Sequence, residues 1–243
     1  MARVYEMSIT IKWDKKVAKR YPSLFLGLTV ITGVKVQPRT PEQERYIEEI
    51  KKLLRSKHKV ETLKDHPIVR AYRNFFWRLG IDPTKNRPAS EALLRRILRG
   101  KGLPRVNNVV DAYNLASVET LVTMSAYDLS MVKPPLTVRF SREGEEVTLI
   151  GGRRRVLKGG ELVLADKLGV LCVYVHGDVE RAKVTWETRD VLLVGYGAPG
   201  IGEELVAKAL EKACEYVTRF SGGEAKGVTI LSPNLPINNS YSF

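Results

Sequence analysis

The chain has 243 residues, a formal net charge of +13 and 44% hydrophobic residues, which is typical of one large water-soluble domain. No apolar run reaches the ~18–20 residues that a membrane span needs, and the N-terminal stretch lacks a signal-peptide pattern, so we expect a cytoplasmic protein without membrane contact. Cys172, Cys214 and three scattered histidines show no metal-ligand spacing, which predicts core thiols, no metal site and no cofactor.

The positive charge is concentrated in the first part of the chain. Residues 1–105 contain 25 Lys and Arg against 10 Asp and Glu, whereas residues 106–243 contain 15 against 17. Because release of counterions from phosphates drives binding by clustered cations, this asymmetry favours a nucleic acid as partner. A solvated, lysine-rich surface is the alternative interpretation.

The first predicted elements are strands and a capped helix. Apolar and polar residues alternate weakly over residues 1–12, which is typical of a strand. Residues 22–36 are rich in Leu, Val and Ile and predict one or two buried strands. The tetrapeptide Thr40-Pro41-Glu42-Gln43 predicts a helix start, with Thr40 as N-cap, Pro at the first position and Gln43 completing a capping box.

Two basic helices are predicted next. One follows Asp65 and ends near Gly80, and the other is RPASEALLRRILRG, whose leucines and isoleucine form an apolar stripe. Their polar sides and the segment beyond carry cations suited to phosphate contacts. The candidate RNA-binding residues here are Arg70, Arg73, Arg78, Arg95, Arg96, Arg99, Lys101 and Arg105.

The stretch LPRVNNVVDAYNLAS, residues 103–117, combines amides with apolar residues at helical spacing. We expect a short helix with one buried face and one polar face that carries Asn107, Asn108, Asp111 and Asn114. Buried Asp and Asn usually satisfy backbone groups, so a purely structural role for Asp111 and Asn114 is an equal alternative.

Short strands at close spacing begin near residue 134, and a helix at about 202–219 and a last strand follow them. We predict an α+β fold, with an antiparallel, sandwich- or barrel-like β core flanked by helices and a basic N-terminal helical part. The predicted division is a basic part (1–85), a core domain (86–232) and a polar tail (233–243). The predicted strands are LTVRF, EVTLI, RRVL, LVLAD, GVLCVYV, AKVTW, VLLV and VTIL.

Two motifs have ordinary explanations. Gly195, Gly197 and Gly200 form a GxGxxG between a strand and a helix, but the following strand lacks the acidic residue that would hold a ribose. We therefore interpret it as a packing turn. The triplet Arg153-Arg154-Arg155 is interpreted as a charged hairpin turn, with a phosphate contact as the alternative.

The segments ASEALLRRILRGKGLPRVNNVVDAYNLAS and SAYDLSMV resemble the tRNA-binding and editing domain of the phenylalanyl-tRNA synthetase beta subunit. The segments GGELVLAD, VTWETRDVLLV and GGEA follow in the same order, and the resemblance extends over roughly residues 20–232. It is nearest to freestanding relatives that consist of this domain alone. The resemblance implies an aminoacyl-tRNA ligand and trans-editing, the hydrolysis of mischarged aminoacyl-tRNA.

The resemblance also matches individual residues of this chain to positions of the family's motifs. Asp111 and Asn114 match the family's Val-Asp-x-x-Asn element, Tyr127 and Asp128 match its aromatic-Asp pair, and Asp166 closes the LVLAD strand. Ser125 and Val194 stand where the synthetase has a His and a Glu that reads the tyrosine hydroxyl, so a smaller or apolar side chain is implied. The resulting candidate pocket is Asn107, Asn108, Asp111, Asn114, Ser125, Tyr127, Asp128 and Val194, with Arg181 as a further phosphate contact.

Three functions follow from these observations. The first is a trans-acting deacylase, in which positioned water and polar donors hydrolyse an already activated ester. The second is a non-catalytic RNA-binding module or synthetase accessory protein, with transient contact to a synthetase. The third is an amino-acid sensor whose ligand binding, unlike RNA binding, would change little with salt.

Overall fold

The computed structural model describes residues 8–234 and 239–242, and it is built from six α-helices and thirteen strands in that part of the chain. The helices are α1 (Lys15–Arg20), α2 (Pro41–Lys57), α3 (Pro67–Arg78), α4 (Ala89–Leu98), α5 (Asn108–Thr120) and α6 (Glu203–Ser221). The strands are β1 (Ser8–Trp13), β2 (Leu26–Thr32), β3 (Met124–Asp128), β4 (Leu136–Phe140), β5 (Glu143–Leu149), β6 (Arg153–Lys158), β7 (Leu162–Asp166), β8 (Gly169–Val173), β9 (Gly177–Asp178), β10 (Val191–Tyr196), β11 (Glu224–Ala225), β12 (Thr229–Leu231) and β13 (Asn239–Ser242).

These strands form three open sheets, so the α+β prediction is confirmed, but they do not close into a barrel. One sheet has the order β13-β1-β4-β7-β8-β9, in which β1 and β4 are parallel. The second has the order β11-β2-β10-β3, with β12 also paired to β2. The third is the β5-β6 hairpin, which covers a small separate apolar cluster around Leu149 and Val163. The arginine triplet, predicted as a charged turn, lies in the hairpin but in strand β6, just after the turn.

A single main core joins the two halves of the chain. Strand β2 lies inside the second sheet, between β10 and the β11–β12 segment, and its seven residues are almost all buried. Helix α6 packs against that sheet and against α5. The N-terminal part therefore supplies an interior strand to the sheet, because its Leu, Val and Ile residues need cover on both faces.

Local chemistry explains most helix boundaries. The Thr40 hydroxyl accepts a hydrogen bond from the Gln43 N–H as predicted. The Gln43 side chain does not complete the capping box, since its amide donates to the Asn108 carbonyl at 2.8 Å instead. Gly80 has φ +76° just after α3, which is the left-handed conformation that ends many helices.

Some short elements differ from the sequence-based expectation. AKVTW forms no strand: it follows a single 3-10 turn at Glu180–Ala182 and runs as irregular chain. Helix α1 and the strands β3, β9 and β11 were not anticipated from the pattern. Asn239–Ser242, in the segment predicted as a polar tail, pairs antiparallel with β1, and residues 235–238 lie outside the described part.

The GxGxxG segment is a packing turn, as predicted. A Cβ on Gly195 would lie 2.8 Å from a Val206 methyl group, and one on Gly197 would lie 2.5 Å from the Phe25 ring. These glycines let α6 and Phe25 approach the β10 backbone closely, which is a structural use of the motif.

Candidate functional site

A cavity of about 320 Å³ opens where α3 and the loop after it meet the ends of β3, β8 and β10. Its volume is within the usual range for small-molecule sites, and it combines aromatic walls with a few polar groups. The lining residues are Tyr72, Phe75, Phe76, Lys85, Asn86, Arg87, Ala89, Thr123, Met124, Ser125, Arg153, Cys172, Tyr174, Val175, His176, Gly177, Asp178, Tyr196 and Gly197.

The floor of the cavity is organised around the carboxyl group of Asp178. Both of its oxygens lie 2.8 Å from the donating Ser125 Oγ, and Oδ1 accepts from the Tyr127 hydroxyl at 2.6 Å. The Tyr127 oxygen lies 2.9 Å from the Tyr196 hydroxyl. The pairing of β10 with β3 and of β8 with β9 brings these side chains together from distant parts of the sequence.

Burial shifts the acid–base properties of this floor. Although Asp178 as a whole residue is partly exposed, its carboxyl group is enclosed, and this burial raises its pKa against the opposing effect of its hydroxyl donors. Burial also raises the pKa of the Cys172 thiol and of the Tyr196 hydroxyl well above their usual ranges. Cys172 is therefore a protonated thiol near neutral pH, and it is not an activated nucleophile.

Two side chains of the cavity wall carry unpartnered polar atoms. The Tyr174 hydroxyl and Nε2 of His176 are buried and have no hydrogen-bond partner within the described residues. The Tyr174 ring packs edge-on against Tyr196, with centroids 5.0 Å apart. Because buried polar groups are normally hydrogen-bonded, these atoms are available to a ligand or water in the cavity.

The mouth of the cavity is positively charged and continues into a basic groove. Lys85 and Arg87 line both the cavity and the groove, and Arg153 lies on another side of the mouth. The groove has a volume of about 270 Å³, and no acidic side chain of residues 8–234 or 239–242 lines it. Its lining residues are Lys85, Arg87, Ala92, Arg95, Arg96, Arg99 and Lys101.

The amide helix does not line this cavity, so the cavity and the predicted amide pocket lie in different places. Asn107 caps α5 by accepting from the Val110 N–H at 2.8 Å. Asn108 is fully buried, donates to the carbonyls of Lys35 and Phe220, and accepts from the Gln37 N–H. These bonds connect three chain segments, so the amides satisfy backbone groups rather than form a polar face.

Asp111 and Asp128 also have structural partners. Asp111 is fully buried, pairs with Arg39 at 2.9 Å and accepts from the Val106 N–H at 3.1 Å. Asp128 accepts from the Ser130 hydroxyl and N–H with one oxygen and from the Thr188 hydroxyl with the other. Neither carboxylate lines the cavity.

The other predicted pocket residues divide between the cavity and the core. Ser125 lines the cavity, and Tyr127 reaches its floor through the hydrogen bond to Asp178. Val194 is a fully buried core residue of β10, and half-buried Asn114 does not line the cavity. The structure thus joins only two of the predicted residues in one site.

The predicted phosphate-binding residues fall into two groups. Arg73 and Arg95 both pair with the buried Glu91, and Arg181 pairs with Asp166. The other residues are exposed: Arg96, Arg99 and Lys101 in the groove, Arg70 and Arg78 in a separate depression beside Pro199, and Arg105 paired with Glu44.

Asp178 is the central residue of the cavity floor, and it was not among the predicted pocket residues. The sequence carried one signal for it: in the HGD segment a glycine comes shortly after an apolar run and directly before an acidic residue, which is typical of a turn that presents a carboxylate. In the structure this glycine has φ +104°. Among the described residues no group of three His, Cys, Asp or Glu could hold a metal ion, and no helix is long and apolar enough to cross a bilayer.

The sequence of the chain is similar to those of the beta subunits of phenylalanine–tRNA ligases. A family model described as the B3/4 domain matches residues 71–222. The phenylalanine–tRNA ligase beta subunits of Haemophilus influenzae and Fusobacterium nucleatum are 30% and 33% identical over 53% and 44% of this chain. The matched stretches are 19% and 13% of those subunits, so the chain spans at most about a fifth of the length of these relatives.

Among solved structures, an N-terminal fragment of the phenylalanyl-tRNA synthetase beta subunit from Pyrococcus horikoshii is similar. The two superpose with a TM-score of 0.47 and 15% sequence identity, over 93% of this chain and 52% of that fragment.

Proposed function

The chain belongs to the B3/4 domain family, and on that premise we propose that it binds tRNA and hydrolyses the ester of mischarged aminoacyl-tRNA. One observation carries the proposal: a cavity with a buried polar floor shares Lys85 and Arg87 with a groove lined by cations. A tRNA that carries an amino acid needs both parts, because the groove suits phosphates and the enclosed cavity suits the amino acid.

The chemistry of the cavity fits addition of water to an ester. Water adds to the ester carbon, negative charge develops on the carbonyl oxygen, and the ribose oxygen leaves with a proton, so free amino acid and uncharged tRNA are released. The unpartnered Tyr174 hydroxyl is a donor for the developing charge. Neither side chain that could attack the ester is activated, since Cys172 is a protonated thiol and the Ser125 hydroxyl donates to Asp178. The proposed reaction is therefore direct attack by water, without a covalent intermediate.

The size of the cavity sets the kind of substrate. A volume of about 320 Å³ holds an amino-acid side chain and part of a ribose, but not a folded nucleic acid. The RNA body therefore stays outside, on the groove side, and the 3′ end enters. Aromatic walls formed by Tyr72, Phe75 and Tyr174 favour a side chain with apolar surface.

A panel of mischarged tRNAs tests the proposal. We expect hydrolysis of one or a few members, with the rate reduced about 10²–10³-fold in Tyr174→Phe if its hydroxyl stabilises the oxyanion. Tyr46→Phe is the matched control, because that hydroxyl contacts Tyr216 outside the cavity. Turnover that is equal in both variants would exclude Tyr174 from the chemistry, and no turnover on any member would exclude the deacylase.

A non-catalytic RNA-binding protein or synthetase accessory protein is the second candidate. The observation that favours it is that the carboxylates that match the family pattern are all occupied by structural partners: Asp111, Asp128 and Asp166. Salt-sensitive tRNA binding without hydrolysis of any mischarged tRNA would identify this function.

A further inference from the structure

Asp178 differs from the other buried carboxylates of the chain. Glu91, Asp111 and Asp166, whose carboxylates are fully buried, each pair with at least one arginine. Asp178 forms no ion pair within the described residues, and its partners are the hydroxyls of Ser125 and Tyr127 and the neutral thiol of Cys172. A buried charge without a cation is costly, so this carboxylate lacks the compensation that an arginine gives the other three.

Asp128 is the informative comparison. It is also buried, has no ion pair in the described part of the chain and accepts from hydroxyl groups as Asp178 does, but it does not line the cavity. Asp178 does line the cavity, beside the unpartnered Tyr174 hydroxyl. A ligand in the cavity therefore lies next to Asp178, whereas Asp128 lies outside the cavity.

We propose that Asp178 is the receptor for the primary ammonium group of the bound ligand, which enters the cavity cation first. This inference deepens the proposed function and rests on it, because the α-ammonium of an aminoacyl ester is such a group. An ammonium donating to a carboxylate forms a strong charge-assisted hydrogen bond. The tyrosine rings at positions 174 and 196 add faces that attract a cation.

The charges at the cavity mouth fix the orientation of the ligand. Exposed Lys85, Arg87 and Arg153 are positive, whereas the floor carries Asp178. A ligand with an ammonium at one end and a phosphate at the other matches this arrangement, and its reversal would place like charges together. An aminoacyl group on the terminal nucleotide of an RNA has this polarity. A free amino acid shares the ammonium but lacks the phosphate.

Binding of hydrolysis-resistant analogues tests the inference without requiring turnover. The probe is a 3′-aminoacylamino-3′-deoxyadenosine 5′-phosphate. It is compared with its N-acetylated derivative, which lacks the ammonium group, and with the free amino acid amide, which lacks the nucleotide. We expect acetylation to weaken binding to the native protein about 10–100-fold, as loss of a charged hydrogen bond does. Equal affinity for the free and acetylated analogues would overturn the inference, and this comparison needs no variant.

The variant Asp178→Asn keeps the size of the side chain and removes its charge. In this variant we expect the free and acetylated analogues to bind within about threefold of each other, because the charged partner is gone. Asp82→Asn is the matched control, since Asp82 is near Lys85 but does not line the cavity, and it should retain the full preference for the free amine. A retained preference in Asp178→Asn would overturn the proposal.

The outcomes separate this inference from the deacylase. Amine-dependent binding without hydrolysis of any mischarged tRNA supports Asp178 as the receptor and rejects the enzyme. Loss of hydrolysis in Asp178→Asn with unchanged analogue binding rejects the receptor and places Asp178 in the chemistry. If the free amino acid amide binds as tightly as the nucleotide analogue, the cation-first orientation with an outer phosphate is wrong.

Discussion

The Nε of Arg39 donates to Oδ2 of Asp111 at 2.9 Å, and this pair ties the segment before α2 to the first turn of α5. The side chains are 5% and 0% exposed, so the pair is shielded from water. Burial raises the pKa of Asp111, and the hydrogen bond from Arg39 opposes that shift. The pair supports the structural role of Asp111, which from the sequence alone is an equal alternative to a place in the pocket.

Asp111→Ala is expected to destabilise the protein by about 1.5–3 kcal/mol, because it removes a buried charge-assisted hydrogen bond to the Arg39 Nε, while Glu44 still pairs with the guanidinium. Chemical denaturation monitored by tryptophan fluorescence measures this. Glu42→Ala is the control, since it breaks an exposed ion pair with Arg219 that is worth at most about 1 kcal/mol. Comparable small losses in the two variants would contradict a structural role for Asp111.

Gly197→Ala is expected to cost about 1–3 kcal/mol by overpacking, because its new methyl group would meet the Phe25 ring at 2.5 Å. Gly202→Ala is the matched control, since no described atom lies within 4 Å of a Cβ there. Thermal unfolding of the two variants checks the difference. A large loss of nucleotide binding with no loss of stability in Gly197→Ala would restore the dinucleotide interpretation of the motif.

The groove residues Arg96, Arg99 and Lys101 should set the salt dependence of tRNA binding. Replacing all three with Gln should lower the slope of log K against log salt by about 0.7–0.9 for each phosphate that the variant no longer neutralises. Binding titrations at several salt concentrations measure the slope. The control variant replaces three exposed lysines of α1: Lys15, Lys16 and Lys19. It removes the same amount of charge at another place, so most of the slope should remain.

Asp178→Asn should change how stability depends on pH. The folded pKa of Asp178 is raised above the ~3.9 of an unfolded Asp, so the folded state binds more protons and the contribution of Asp178 to stability falls as pH rises. The melting temperature of the variant minus that of the native protein should therefore increase from about pH 4 towards neutrality. A difference that stays flat or decreases over this range would show that the carboxylate is not held in an unfavourable environment.

The periodic elements were predictable from sequence because their signals are local. The Thr40 cap of α2, the alternating pattern of β4 and the continuous apolar run of β7 depend on a few neighbouring residues. The two-residue strand β9 was not predictable, since its position depends on pairing with β8. The same holds for AKVTW, whose alternation is typical of a strand although it pairs only through an isolated bridge at Lys183.

The candidate site was harder to predict because its parts come from distant segments. Ser125 and Asp178 are 53 residues apart in sequence, yet their side chains are hydrogen-bonded. The amides of α5 looked functional because they are polar, whereas the Asn108 amide is hydrogen-bonded to backbone groups of two other segments. Polarity in the sequence identifies residues with partners, but only the fold shows whether a partner is the protein itself or a ligand.

The interior position of β2 has a consequence for how the chain is made and divided. Its pairing strand β10 is synthesised much later, so on the ribosome β2 must stay unpaired until the chain reaches Tyr196. A fragment limited to the residues that the family model matches, 71–222, would keep β3 beside β10 but lose β2 on its other side, and so expose one edge of a hydrophobic sheet. A fragment that keeps this sheet intact must therefore begin before Leu26, so it is longer than the residues that the family model matches.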